Sequence, residues 1–300
     1  MATISDTFNQ YFNQLDRLDL ELLIAHTLKK PREFVISHPD YTMTKKQETI
    51  TKHLISRRLK HEPMAYILGQ KEFYGLNFKV NKNTLIPRPE TEILVESVIS
   101  NLQLVIGENK KYTTIIDLGT GSGNIIISIA KEIIKSKLPI TNYQLLASDI
   151  SAKALRVAKQ NARLNKVDKK IKFLKSDLLN VFLKNKECSV LCAPCSVIIT
   201  ANLPYLSKKI YKSTMPDVKN YEPKSALLSS TDGLKHYKKL LEQIKKIQNK
   251  CSMFHVMCYL EISPEQKPKI QKIIKSILPK SKITFHKDLA KRWRVCQIEL

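Results

Sequence analysis

Glycine is scarce in this chain, at 7 in 300 residues, yet three of the seven stand at alternate positions in one short span: Gly119, Gly121 and Gly123. With so little glycine elsewhere, that cluster marks a place where the backbone must turn sharply and leave itself open. Acidic side chains are also few, 27 Asp and Glu against 51 Lys and Arg, for a net charge of +24. A chain of that sign is attracted to polyanions such as RNA or ribosomes. The lysines are scattered rather than gathered in a tail, so a compositional bias toward Lys, Ile and Asn stands beside that reading. No stretch approaches the ~18 apolar residues that a membrane span needs. The opening residues have neither a basic start nor a continuous apolar core, so no signal peptide is expected. Without such a leader, the six cysteines are expected to be reduced thiols in a cytoplasmic protein. Repeats and low-complexity tracts are lacking, and the length suits one large domain or a large and a small one.

The glycine cluster lies within Thr113 to Ala130, TTIIDLGTGSGNIIISIA. An apolar run ends at Asp117, the glycines follow, and a second apolar run starts at Ile125. The pattern predicts a strand, a tight turn and the start of a helix whose free N–H groups and positive dipole end suit an anion. Asp149 closes the next predicted strand, roughly 26 residues beyond Gly123 and near the ~20 expected of an acid that holds a ribose diol. Dinucleotide sites use G-x-G-x-x-G, whereas this loop reads G-x-G-x-G. It resembles motif I of the class I methyltransferases, which bind S-adenosylmethionine (SAM).

Residues 1–72 read as short helices. Leu15, Leu18, Leu22, Leu23 and Leu28 recur at helical spacing, and Thr44 with Gln47 forms a capping box for a second helix. Residues 73–88 form a linker, with a β-hairpin around Gly75 and a segment stiffened by Pro87. From residue 89 to 300 strands and helices alternate: strands near Gln144–Ala147, Ile171–Leu174, Val197–Ala201, Phe254–Ile262, Ile283–Phe285 and Val295–Glu299. The expected fold is α/β, a mostly parallel sheet with helices on both faces and a small N-terminal helical domain. Ligands bind at the carboxyl ends of such strands, where Asp117, Asp149, Asp177 and Asn202 all fall.

Asn202-Leu203-Pro204-Tyr205 closes the fourth strand of this series and resembles the [Asn/Asp]-Pro-Pro-Tyr motif of methyltransferases that act on planar nitrogens. An amide –NH2 is a poor nucleophile with two N–H donors. The Asn202 side-chain oxygen and the Leu203 carbonyl can each accept one, fixing the nitrogen for in-line attack. Tyr205 is expected to cover the flat group.

Taken together, these segments resemble the HemK/PrmC family of protein-(glutamine) N-methyltransferases along nearly the whole chain. The likeness includes Glu62-Pro63-Met64-Ala65-Tyr66, Pro87-Arg88-Pro89-Glu90-Thr91-Glu92, Asp117 to Gly123, Ser176-Asp177-Leu178, Asn202 to Tyr205, Tyr221-Glu222-Pro223, Glu261-Ile262 and Lys287-Asp288-Leu289-Ala290. The resemblance implies a SAM-dependent enzyme that methylates the glutamine of the Gly-Gly-Gln loop in peptide-chain release factors, acting as a monomer. It assigns the SAM methionine end to Gly119, Thr120, Gly121, Ser122 and Gly123, the ribose to Asp149, and the adenine border to Asp177 and Leu178. Asn202 to Tyr205 then hold the glutamine, with Asn202 also beside the cofactor, and the N-terminal helices grip the release factor. Leu203 stands where the family has its first proline; because the role falls on its backbone carbonyl, activity is expected to survive.

The charge and the Asn-Leu-Pro-Tyr variant keep an RNA or DNA adenine N-methyltransferase as the alternative, and a non-catalytic SAM-binding or ribosome-associated protein as a third reading. Cys188, Cys192 and Cys195 share the spacing of a radical-SAM cluster. Such motifs belong early in a barrel, so these are expected to be incidental loop thiols, and no metal site is expected.

Overall fold

The computed structural model describes residues 1–106, 113–136, 143–184, 196–249 and 255–300, in two compact units. Cys188, Cys192 and Cys195 lie outside the described residues. The first unit comprises Met1–Gln70 with Met215–Tyr221. From Met1 to Gln70 its helices are α1 (Ile4–Tyr11), α2 (Arg17–Leu28), α3 (Arg32–Ser37), α4 (Lys45–Leu59) and α5 (Met64–Leu68), and the returning segment adds a short helix, Pro216–Tyr221. Thr44 and Gln47 exchange the two bonds of the capping box at the start of α4, at 3.2 and 2.9 Å. Leu20 and Leu23 of α2 pack on Leu54, Ile55 and Ile67, while Ile24, Ala25 and Leu28 pack on Ile4, Val35 and Met43. Leu18, expected on this apolar face, is 45% exposed, because the helix turns Leu20 and Leu23 inward instead. Glu21, buried, is held by Arg17 at 2.9 Å and Arg32 at 2.6 Å. The returning segment is tied in by Tyr221, whose hydroxyl donates to the Lys60 carbonyl at 2.7 Å.

The second unit comprises Lys71–Thr214 and Glu222–Leu300. It opens on the predicted hairpin, β1 (Gln70–Phe73) and β2 (Leu76–Lys79). Both turn residues, Tyr74 and Gly75, have positive φ, 52° and 68°, the geometry that matches strand twist in a two-residue turn. Then come α6 (Glu92–Ile106), β3 (Thr113–Leu118), α7 (Asn124–Lys135), β4 (Tyr143–Asp149), α8 (Ala152–Leu164), β5 (Ile171–Lys175), α9 (Asn180–Lys184) and β6 (Ser196–Ala201). After short helices the chain continues through α10 (Lys235–Gln248), β7 (His255–Glu261), α11 (Lys267–Ile277), β8 (Lys282–Lys287) and β9 (Trp293–Glu299).

The sheet order is β5-β4-β3-β6-β7-β9-β8. Pairings from β5 through β7 are parallel, and β9 runs antiparallel to both of its neighbours. Both faces are covered, as the continuous apolar strands require. Ile116, Ile199 and Cys258 face α9, α10 and α11, while Ile115, Ile198 and Met257 face α6, α7 and α8. The chain runs β3, β4, β5 outward and then returns to β6 on the other side of β3. That reversal opens a crevice at the carboxyl ends of β3 and β6. Leu118 pairs with Ala201, so Gly119 and Asn202 leave the sheet side by side. Among the described residues no helix is long and apolar enough to cross a membrane.

Candidate active site

A cavity of about 310 Å³ occupies that crevice. It is lined by Gly119, Thr120, Gly121, Ser122, Asp149, Asp177, Leu178, Asn202, Leu203 and Pro204. These residues come from the ends of four strands, and the fold brings them to one place. Tyr205 is not among the lining residues; its hydroxyl turns away to Glu261 at 3.4 Å, so in this conformation it does not cover a substrate group.

The loop after β3 is held from below by Asp117. This carboxylate is fully buried and accepts from the hydroxyls of Thr120 at 2.6 Å and Thr200 at 2.9 Å. Burial pushes its pKa up to about 7, against the two threonine bonds. At Gly121, φ is +55° and an added Cβ would meet nothing nearer than the Gly119 carbonyl oxygen at 3.9 Å. The main chain is therefore bare toward the cavity. At Gly123, φ is +83° and a Cβ would come within 2.9 Å of Ile127, so this glycine serves the packing of α7. Gly123 is the N-cap of α7 and brings no side chain to that role; Asp117 takes the Ile126 N–H, which leaves the N–H groups at Asn124 and Ile125 for a carboxylate.

Asp149 receives the backbone N–H of Gly121 at 2.9 Å on one oxygen and that of Ser151 at 2.8 Å on the other. Both oxygens are thus aimed by main chain, and each keeps acceptor capacity for a diol. Burial raises its pKa, and the two backbone bonds oppose that rise. Beside it Ile150 is 64% exposed and lines the cavity, offering a flat apolar surface to a planar ring. Leu178 takes up the left-handed conformation, φ 54°, which a non-glycine residue adopts only when its surroundings impose it. The Ser176 hydroxyl donates to the Leu178 carbonyl at 2.8 Å and receives the N–H of Val181 at 3.1 Å. Asp177 is paired with Lys239 of α10.

Asn202 sits in a side-chain network. Its amide nitrogen donates to Glu261 Oε2 at 2.9 Å and to Thr91 Oγ1 at 3.2 Å. With both N–H groups engaged, Oδ1 is the atom left to accept. Glu261 and Thr91 are each 1% exposed, and neither was singled out for a role from sequence. Tyr237 donates to the Glu261 carbonyl and reaches the Leu203 carbonyl only at 3.5 Å, so Leu203 O keeps a lone pair free. The Leu203 side chain is buried and fills the space where a Gly119 Cβ would lie, 3.1 Å away. Opposite, the Ile86–Arg88 rim is clamped by Glu222, which accepts from the Ile86 N–H at 3.0 Å and pairs with Arg88. Two segments quoted above for their resemblance are therefore partners in space.

Bare glycine backbone, an aimed carboxylate and an exposed apolar side chain together fit an adenosine that carries a charged amino-acid end. Among the described residues no group of His, Cys, Asp and Glu could hold a metal ion.

Comparison with known proteins agrees with this geometry. Residues 3–69 match the PrmC N-terminal domain model and residues 109–281 a methyltransferase domain model. The release factor glutamine methyltransferase of Clostridium botulinum is 34% identical over 279 residues, 93% of this chain and 90% of its own length. The enzyme of the same name from Thermodesulfovibrio yellowstonii is 36% identical over 252 residues, 84% of this chain and 81% of its own. Among solved structures, the hMettl16 catalytic domain in complex with MAT2A 3'UTR hairpin 1 has a TM-score of 0.52 at 17% identity, covering 75% of this chain and 74% of that one. At that identity the likeness is one of fold. The sheet, the crevice and the relatives agree: this chain belongs to the release factor glutamine methyltransferase family.

Proposed function

We infer that the chain transfers a methyl group from SAM to the side-chain amide nitrogen of the glutamine in the Gly-Gly-Gln loop of peptide-chain release factors. The observation that carries this reading is the Asn202 amide, whose donors are engaged and whose oxygen is left to accept at the mouth of a cavity shaped for SAM. Gly119 to Gly123 hold the methionine end, Asp149 the ribose, and Ile150, Asp177 and Leu178 the adenine. When bound, the cofactor supplies the methyl electrophile. The protein's part is to make a poor nucleophile attack. Asn202 Oδ1 and the Leu203 carbonyl each accept one N–H of the glutamine amide, which orients the nitrogen and stabilises the positive charge that grows on it. The extra proton leaves to water after transfer, so no strong base is needed.

Residues 1–72 serve as the recognition domain for the release factor, 73–88 as the linker and 89–300 as the methyltransferase domain. The match of residues 3–69 to the PrmC N-terminal domain supports the first assignment. A translation factor as substrate supports a cytoplasmic location. The chain is read as acting as a monomer. The net charge of +24 supports an electrostatic contact with RNA or the ribosome during the encounter. The adenine-methyltransferase alternative is not favoured, since the relatives that span nearly the whole chain are named for glutamine.

Replacing Asn202 by Ala removes the side-chain acceptor. SAM affinity should stay within about threefold of wild type, while methyl transfer falls by on the order of 100-fold or more, the scale of a lost positioning contact. Isothermal titration with SAM and a labelled-methyl assay measure the two. Undiminished turnover would show that Asn202 does not orient the nucleophile.

A further inference from the structure

We propose that Glu261 is the positioning residue that decides which end of the Asn202 amide meets the substrate. Its carboxylate, an acceptor only, draws the amide donors inward and turns Oδ1 toward the acceptor nitrogen. The inference deepens the reading of Asn202 given above and rests on it.

An Asn amide has nearly the same shape after a half-turn, so packing alone does not choose its orientation. The choice matters, because a flipped Asn202 would present N–H groups to a substrate amide that also brings N–H groups. The network here removes the choice. Glu261 ends β7, leaves the sheet beside Asn202 and meets the amide nitrogen at 2.9 Å. Thr91, in the turn before α6, donates its one hydroxyl proton to Glu261 and so has only lone pairs to offer the second N–H of Asn202, at 3.2 Å. One N–H of Asn202 and the hydroxyls of Thr91 and Tyr205 thus point toward the carboxylate. A buried charge persists only where donors compensate it, and Glu261 has Asn202, Thr91 and, at 3.4 Å, Tyr205. Donation from Asn202 into a carboxylate also polarises the amide and makes Oδ1 a stronger acceptor as the substrate nitrogen becomes positive.

The same geometry gives a pH signature. Burial is the largest influence on Glu261 and pushes its pKa up to about 7. The groups that face it are Thr91 and Glu90 from the turn before α6, Arg294 from β9, Tyr205 from the loop after β6 and Tyr237 from α10. Thr91 and Arg294 favour the ionised form, and Glu90 opposes it. Once protonated, Glu261 contributes a donor of its own and no longer dictates the orientation of Asn202. Turnover should therefore fall as the pH drops below about 7.

The test uses the full-length protein, a release factor substrate and the variants Glu261→Gln and Thr91→Val. Gln fits the space without the charge. SAM affinity of Glu261→Gln should stay within about twofold of wild type, with kcat lower by about 10- to 100-fold and the KM for the release factor little changed, as expected when only orientation is lost. Its acid limb should disappear. Thr91→Val removes a donor that stabilises the ionised carboxylate, so its limb should move to higher pH. Asp117, also raised to about 7, is intact in both variants, so a limb lost in Glu261→Gln belongs to Glu261. Wild-type kcat and an unchanged limb in Glu261→Gln would overturn the inference. If that variant loses SAM binding through misfolding, an unmoved limb in Thr91→Val overturns it equally. Failure of the wild-type protein to methylate glutamine would refute the functional reading itself, which is a different result.

Discussion

Asp117 lies beneath the cofactor loop, where its side chain accepts from the hydroxyls of Thr120 and Thr200 and from the backbone N–H of Ile126. Its folded-state pKa of about 7 lies above the ordinary 3.8, and the sign of the consequence follows from linkage. Between those values the unfolded chain releases the proton and the folded chain keeps it, so this group costs stability as pH rises, by at most about 1.4 kcal/mol per pH unit. Asn cannot ionise. The melting temperature of Asp117→Asn should therefore gain on wild type as pH rises from about 4 to about 7, and comparing the two proteins cancels the titration of everything else. A difference that does not change with pH would contradict the burial assigned to Asp117. The loop that this residue supports was legible in the sequence because glycine is so rare elsewhere in the chain. Glu261 and Thr91 were not legible as partners of Asn202. They lie 59 and 111 residues from it along the chain, and nothing local to either announces the contact.

Helix α8 shows how an element carries order between parts of the second unit. Its Asn161 is completely buried; the side-chain oxygen accepts from the Lys79 N–H at 2.7 Å, and the amide nitrogen donates to the carbonyls of Lys79 and Ser122, both at 2.9 Å. One side chain thus joins the hairpin to the glycine loop. Asn161→Ala leaves these main-chain groups without that partner and should cost about 1–3 kcal/mol for each one that stays dry. It should also weaken SAM binding, because Ser122 is within the loop. Denaturant unfolding and SAM titration measure the two effects; an unchanged affinity would separate the loop from the hairpin. The alternation of strands and helices in the sequence predicted α8, and Ser151 caps it, accepting from the Ala154 N–H at 3.2 Å. It gave no sign of Asn161, since a polar residue on a helix looks solvent-facing until its tertiary neighbours are known. The antiparallel edge was equally hidden: β8 and β9 read as strands, but direction depends on where the connection crosses the sheet.

At the scale of the whole molecule, the alternation of strands and helices was enough to place the ligand site. It fixes which strand ends lie together, and the order reversal between β3 and β6 does the rest. The glycine loop and Asn202 come from neighbouring strand ends for that reason, although 79 residues separate Gly123 from Asn202. Composition was less informative. The charge of +24 pointed toward nucleic acid, while the relatives point toward the side-chain amide of a glutamine. Net charge acts on encounter rates and says little about which nitrogen reacts. The central claim is the identity of that nitrogen, and transfer of tritium from labelled SAM tests it most directly. The full-length protein would be offered an unmodified release factor, the same factor with its Gly-Gly-Gln glutamine replaced, and unmodified ribosomal RNA. Label should appear on the first alone. Label that persists after the glutamine is replaced, or that goes to RNA instead, would contradict the account.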